Sequence, residues 1–288
     1  MGVYQAVSSP SGNMQRVSYN EPVYNGKEEF DPALVRLNTV DKLSDYADSL
    51  YEATYPKKKL LAKDETYPDL VTSIVRKRFY HGYSLYGFNS NYMAMALAQL
   101  SVRGLSAIVV PDDILKYPYA ACSQQSIILM KLLQNKGYST RSVGFSSKIT
   151  GHFTFETYYD GGWHYNDPNK EPNEMVLKAY NYPSIAFLNQ HPDILVRAYP
   201  QFSKDYVLTV FTHYTYGTIN TFPAPKAIIF QKVAKFLSYS LWAFFLFAFI
   251  LVRRKYKKLK ARPAITFRQN GFALQTSSPA PASAYCAA

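Results

Sequence analysis

A chain of 288 residues with 48% hydrophobic and 16% aromatic content is long and apolar enough to bury a core, which excludes disorder as a whole. The formal charge of +12 suggests an anionic partner, but 11 of the 32 basic residues follow Asp205, after which no acidic residue occurs. The stretch up to Asp205 is therefore close to neutral, and nucleic-acid binding is excluded as the source of the basicity.

Residues 1–30 are rich in Ser, Asn, Gly, Pro and Tyr without an apolar period, and are expected to form a disordered leader. They contain no apolar stretch that reads as a signal peptide. From Pro32 apolar residues recur at helical spacing through Leu34, Leu37, Val40, Leu43, Ala47 and Tyr51, which predicts one or two amphipathic helices. A basic run at Lys57–Lys59 marks a solvated connection. Further helices are predicted over Pro68–Phe79 and Asn91–Val102, and a brief strand or loop over Leu105–Val110.

Ser123–Gln134 carries an apolar helical face, and Gly137 stands where a helix C-cap would place it, so Cys122 falls at a helix N-terminus. Unpaired backbone amides and the helix dipole stabilise a thiolate there. Strands follow at Tyr138–Ser146, Gly151–Tyr159 and Trp163–Asp167, with Asp160-Gly161-Gly162 as a hairpin turn between the last two, either a two-residue turn at Asp160-Gly161 or a longer one whose bulge would shift the register by about one residue. A two-residue turn puts His152 opposite Asn169 and diagonal to Asp167, with both side chains on one face. Asp167 could then fix one imidazole nitrogen while the other takes the proton from Cys122. The alternative is a structural His–Asp pair beside a cysteine that serves as a small buried hydrophobe.

Other residues invite structural readings. His164 alternates away from Asp167 and is expected to be exposed. Glu156 is expected to be a surface or structural carboxylate, and Arg141 to ion-pair within the fold. His81, His191 and His213 have no motif around them. Two cysteines, Cys122 and Cys286, lie on opposite sides of an apolar segment, so no internal disulfide is expected. No cofactor is expected, and no His/Cys cluster has the spacing of a metal site.

That apolar segment, Phe236–Val252, is extended by Val233 and Ala234 and followed by an Arg-Arg-Lys-Tyr-Lys-Lys block. It predicts a transmembrane helix over residues 233–252 with a cytoplasmic tail, which places the preceding domain outside the cytoplasm; the missing signal peptide conflicts with that, so either the start lies upstream of Met1, export uses another signal, or the domain is cytoplasmic and the charge rule fails. The tail, residues 253–288, is basic and then rich in Ala, Pro and Ser, and is expected to be disordered.

The run Ala121-Cys122-Ser123-Gln124-Gln125-Ser126, with Gly137-Tyr138-Ser139-Thr140-Arg141, resembles the cysteine helix and following strand of the transglutaminase-like superfamily. Gly151-His152-Phe153-Thr154-Phe155, Asp160-Gly161-Gly162-Trp163 and Asn166-Asp167-Pro168 resemble its histidine strand, turn and aspartate strand. The resemblance covers residues 115–170. It implies an α+β, papain-like core within a domain spanning residues 31–225, with Cys122 as nucleophile, His152 as base and acid, and Asp167 as orienter. It further implies a cysteine hydrolase or acyltransferase acting on a peptide, protein or other amide or ester. The chain has Ala120 and Ala121 where the family often has glycine, and no residue completing an oxyanion hole stands out. Two alternatives are a catalytically silent binding module at the membrane and an arylamine acetyltransferase-like enzyme. The arginine- and glycine-rich approach to the cysteine that marks the latter is absent.

Overall fold

The computed structural model describes residues 22–56, 65–100 and 107–260. The fold is α+β. A short 3-10 turn at Pro32–Arg36 precedes helix α1 (Val40–Thr54), whose N-cap Thr39 accepts from the Lys42 amide. Next come α2 (Thr66–Arg78), β1 (Tyr80–His81) and α3 (Phe88–Leu100). The backbone of α3 breaks at Asn91, whose side chain accepts from the Ala94 amide at 3.1 Å, so the helix restarts at the predicted residue. Helix α4 (Pro111–Ile114) and strand β2 (Tyr119–Ala120) lead into α5 (Cys122–Asn135). Buried Arg78 donates to the carbonyls of Val35, Leu37, Leu115 and Tyr117, fixing the approach to β2.

Helix α5 stops in a Schellman motif: Gly137, at φ 83°, donates to Gln134 O, and Tyr138 donates to Leu133 O. Strands β3 (Ser139–Ser146), β4 (Gly151–Tyr159), β5 (Gly162–Asn166) and β6 (Tyr214–Tyr216) form an antiparallel sheet in the order β5-β4-β3-β6. Asp160 and Gly161 take positive φ of 44° and 75°, and Tyr159 pairs with Gly162, so the turn is the shorter of the two expected and Gly162 belongs to the strand. Because the pleat alternates, Phe155 and Tyr159 enter one core with α1, α2 and α5, whereas Val143, Phe145 and Tyr165 enter a second. The second core lies under four helices of 6 to 8 residues: α6 (Glu174–Ala179), α7 (Ile185–Gln190), α8 (Pro192–Ala198) and α9 (Lys204–Phe211).

Helix α10 runs over Pro225–Lys260 and is long and apolar enough to cross a membrane. It continues well beyond the predicted span. Its first turns belong to the compact unit ending at Ser240, where Ala227 and Ala234 join the first core. There the buried Gln231 side chain accepts from Val109 N at 2.9 Å and donates to Ala107 O at 2.6 Å. Lys235 meets Asp113 at 2.5 Å. Residues 241–260 are exposed in the second unit and include Phe244, Phe245, Phe247 and Phe249.

The predicted leader is corrected over residues 22–30. Tyr24 and Phe30 pack on each other and on Tyr80 with ring centroids 5.1 to 5.6 Å apart, and Glu28 accepts from the His81 amide at 2.6 Å. These aromatic contacts are sufficient to order a segment whose own sequence lacks a period. Residues 1–21, the Lys57–Lys59 run, residues 101–106 and the tail beyond Lys260 lie outside the described residues, and the described part of the predicted Leu105–Val110 segment carries an isolated antiparallel bridge from Ala107 to Leu85.

Candidate active site

Cys122 is the first residue of α5 and is half-buried. The helix begins here because Ala121 is extended, and the Gln124 side chain, three residues into the helix, accepts from the Ala121 amide at 3.1 Å. Gln124 also spans to a separate segment, accepting from Ser84 N at 2.9 Å and donating to Ser84 O and Ile108 O, both at 2.8 Å. Ser126, one turn on, donates to Phe153 O at 3.2 Å, joining the cysteine helix to the strand that carries the histidine.

His152 enters near the start of β4, 3% exposed, with its ring stacked on Phe145 and edge-on to Phe211. Its Nε2 lies 2.8 Å from Asp167 Oδ2, and both side chains are fully enclosed. The diagonal relationship expected from the turn is therefore closed by the side chains. Asp167 gathers five donors. Oδ2 accepts from His152, from Tyr199 at 2.8 Å and from Tyr165 at 3.2 Å, and Oδ1 accepts from the amides of Asn169 and Lys170 at 3.2 and 3.1 Å. Burial alone would raise the carboxyl, but His152 and these donors overcome it and hold Asp167 at about 2. Burial works against the imidazolium too, yet Asp167 and then Cys122 raise His152 to about 9.

The other imidazole nitrogen, Nδ1, is buried and has no hydrogen-bond partner among the described residues. Cys122 is nevertheless close enough for thiol and imidazole to shift each other. Burial raises the thiol, but His152 and the Phe153 amide outweigh it, so its pKa falls below the ordinary value. The combined direction favours a thiolate beside an imidazolium, with Asp167 behind the imidazolium.

Several neighbours carry no recognisable sequence signal. Tyr199 comes from the end of α8 and Tyr165 from β5, and their hydroxyls are 3.0 Å apart. His81 has its Nδ1 3.1 Å from Asn169 Nδ2, and burial and Lys170 lower its pKa. Gln124 alone had a readable cue, as a glutamine at the third position of a helix.

The expectation for His164 is corrected: it is 6% exposed, stacked on Tyr159 at 3.7 Å, with ring nitrogens near the carbonyls of Tyr159, Asn181 and Tyr182. The turn after α6 covers that sheet face, so alternation along the strand did not mean exposure. Glu156 is structural, paired with Arg141 at 2.6 Å and accepting from Ile185 N at 2.7 Å. Arg141 is flanked by the rings of Trp163 and Tyr216. His191 stacks on Phe187.

No family model, curated protein or solved structure matches this chain. The chemistry of the site must stand on its own geometry.

Proposed function

We propose that the chain is a membrane-anchored cysteine acyl-transfer enzyme built on a transglutaminase-like, papain-like core. The observation that carries this reading is the Asp167–His152 pair, fully enclosed at 2.8 Å, beside a thiol at a helix N-terminus. The other imidazole nitrogen is buried with no further hydrogen-bond partner among the described residues, which leaves it to the thiol that acts on this ring.

In this reading the Cys122 thiolate attacks an amide or ester carbonyl and a C–S bond forms. His152 gives its proton to the leaving group as the tetrahedral intermediate collapses to a thioester. The acceptor, water or an amine, then attacks the thioester, His152 takes the acceptor's proton, and the thiolate is expelled. Asp167 keeps the ring oriented and stabilises its charged form throughout. Water as acceptor makes a peptidase or amidase, and an amine makes an acyltransferase. Helix α10 supplies the anchor, with its basic end on the cytoplasmic side by the positive-inside rule.

The test is alkylation of the full chain with iodoacetamide at neutral pH. Cys122 is expected to react much faster than a free thiol, and the His152→Ala variant is expected to lose that advantage. Equal slow labelling of both proteins would replace the enzyme with a silent binding module. Mass spectrometry of an acyl group trapped on Cys122 would then identify the donor.

A further inference from the structure

Strands β1 and β2 pair in parallel, with Tyr80 opposite Tyr119 and His81 opposite Ala120. The segment continues past the ladder, since Gly82 N donates to Ala120 O at 3.4 Å. Ser84 is pinned further along: Gln124 binds both its amide and its carbonyl, and its hydroxyl donates to Tyr119 O at 2.5 Å. Tyr83 thus stands between two buried, anchored neighbours, beside the residues that open the cysteine helix. A Cβ on Gly82 would run into Pro22, so this close course of the backbone requires glycine. Ser84 turns inward, and Tyr83, on the opposite side of the extended segment, remains 42% exposed.

An acyl-transfer site needs donors where the carbonyl oxygen becomes an alkoxide. The first amides of α5 have no partner within the helix and can supply one. A second must come from another segment, and residues 82–84 lie against this one. The buried phenols of Tyr165 and Tyr199 are already committed to Asp167. We propose that Tyr83 completes the oxyanion site, its hydroxyl donating to the acyl oxygen as Cys122 attacks. In that step the thiolate forms the C–S bond, the carbonyl π pair moves onto oxygen, and the phenol keeps its proton. Collapse then restores the carbonyl and breaks the bond to the leaving group, which takes the proton of His152. Partial burial and the neighbouring Cys122 charge push Tyr83 up to about 12, so it remains a donor while the thiolate is present.

The inference rests on the acyl-transfer reading, and two reactions of the same thiol separate them. Iodoacetamide attacks at a tetrahedral carbon and develops no alkoxide, whereas p-nitrophenyl acetate acylates through one. In the full chain in detergent micelles, Tyr83→Phe is expected to leave the alkylation rate within about 2-fold while slowing the p-nitrophenolate burst about 100-fold. An unchanged burst, or a parallel fall in both rates, would overturn the role of Tyr83 alone. Absence of a burst from the unsubstituted chain would overturn the acyl-transfer reading together with this one.

Discussion

Tyr199 donates its hydroxyl to Asp167 Oδ2 at 2.8 Å, the same oxygen that faces His152 Nε2. The two residues are 32 positions apart, and helix α8 brings them together. Removing this hydroxyl while keeping the ring tests how far the His152–Asp167 pair depends on its support. Tyr199→Phe is expected to cost about 2 kcal/mol of stability, in the range of a hydrogen bond to a charged group, measured by denaturant unfolding. The alkylation rate of Cys122 should fall several-fold as Asp167 loses a contact that holds its carboxylate in line with the imidazole.

The pH dependence of folding stability follows from the same pair. Asp167 falls from 3.8 to about 2 in the folded chain, so its contribution is present above pH 4 and is lost as pH falls toward 2. His152 rises from 6.5 to about 9, so its contribution is complete below pH 6.5 and fades as pH rises through 9. Thermal unfolding should show this site's contribution to be greatest between about pH 4 and 6.5. The alkylation rate should be substantial well below the ordinary thiol range, because the thiol is lowered. Asp167→Asn should abolish the stability loss assigned to Asp167 at the acid end, which a comparison of the two unfolding profiles would show.

Gln124 holds four backbone groups from three segments: Ala121 N, Ser84 N, Ser84 O and Ile108 O. Truncation to Ala leaves these groups without their partner in a buried region. Gln124→Ala is therefore expected to lose about 3 kcal/mol or more by denaturant unfolding. Because the 82–84 segment loses its clamp, the acylation burst should fall as well.

The proximity of Cys122, His152 and Asp167 was readable because the information is local. Cys122 stands before an apolar helical face, and the Asp160-Gly161 turn sets the register that brings His152 and Asp167 together. Tyr83, Tyr165 and Tyr199 could not be distinguished among 26 tyrosines, because their roles arise from packing between distant segments. Three of the four short helices after Asp167 carry side-chain caps, at Asn173, Ser184 and Ser203, but helices of this length show too few turns for a period to emerge. The exposure expected for His164 failed for a related reason: strand alternation identifies a face, and later chain decides whether that face is covered.

The root of α10 can be tested by its polar contacts. Asn91 donates to Gln231 O at 3.0 Å, and Lys235 shares Asp113 with Lys116 and Tyr86. Asp113→Ala removes the acceptor from all three and should destabilise the domain by about 3 kcal/mol. Asp113→Asn should retain part of that loss, as measured by the same unfolding assay.

Those contacts bear on how the protein could be released from a membrane. Ala227, Gln231 and Ala234 are core residues carried on the same helix as the apolar span. A protease cutting before Pro225 would leave a domain stripped of part of its interior, and a cut within Pro225–Ser240 would first require the helix to peel away. Shedding an intact soluble form would therefore require cleavage beyond Ser240, among the apolar residues themselves. A cut anywhere before Ser240 would thus cost the domain part of its first core.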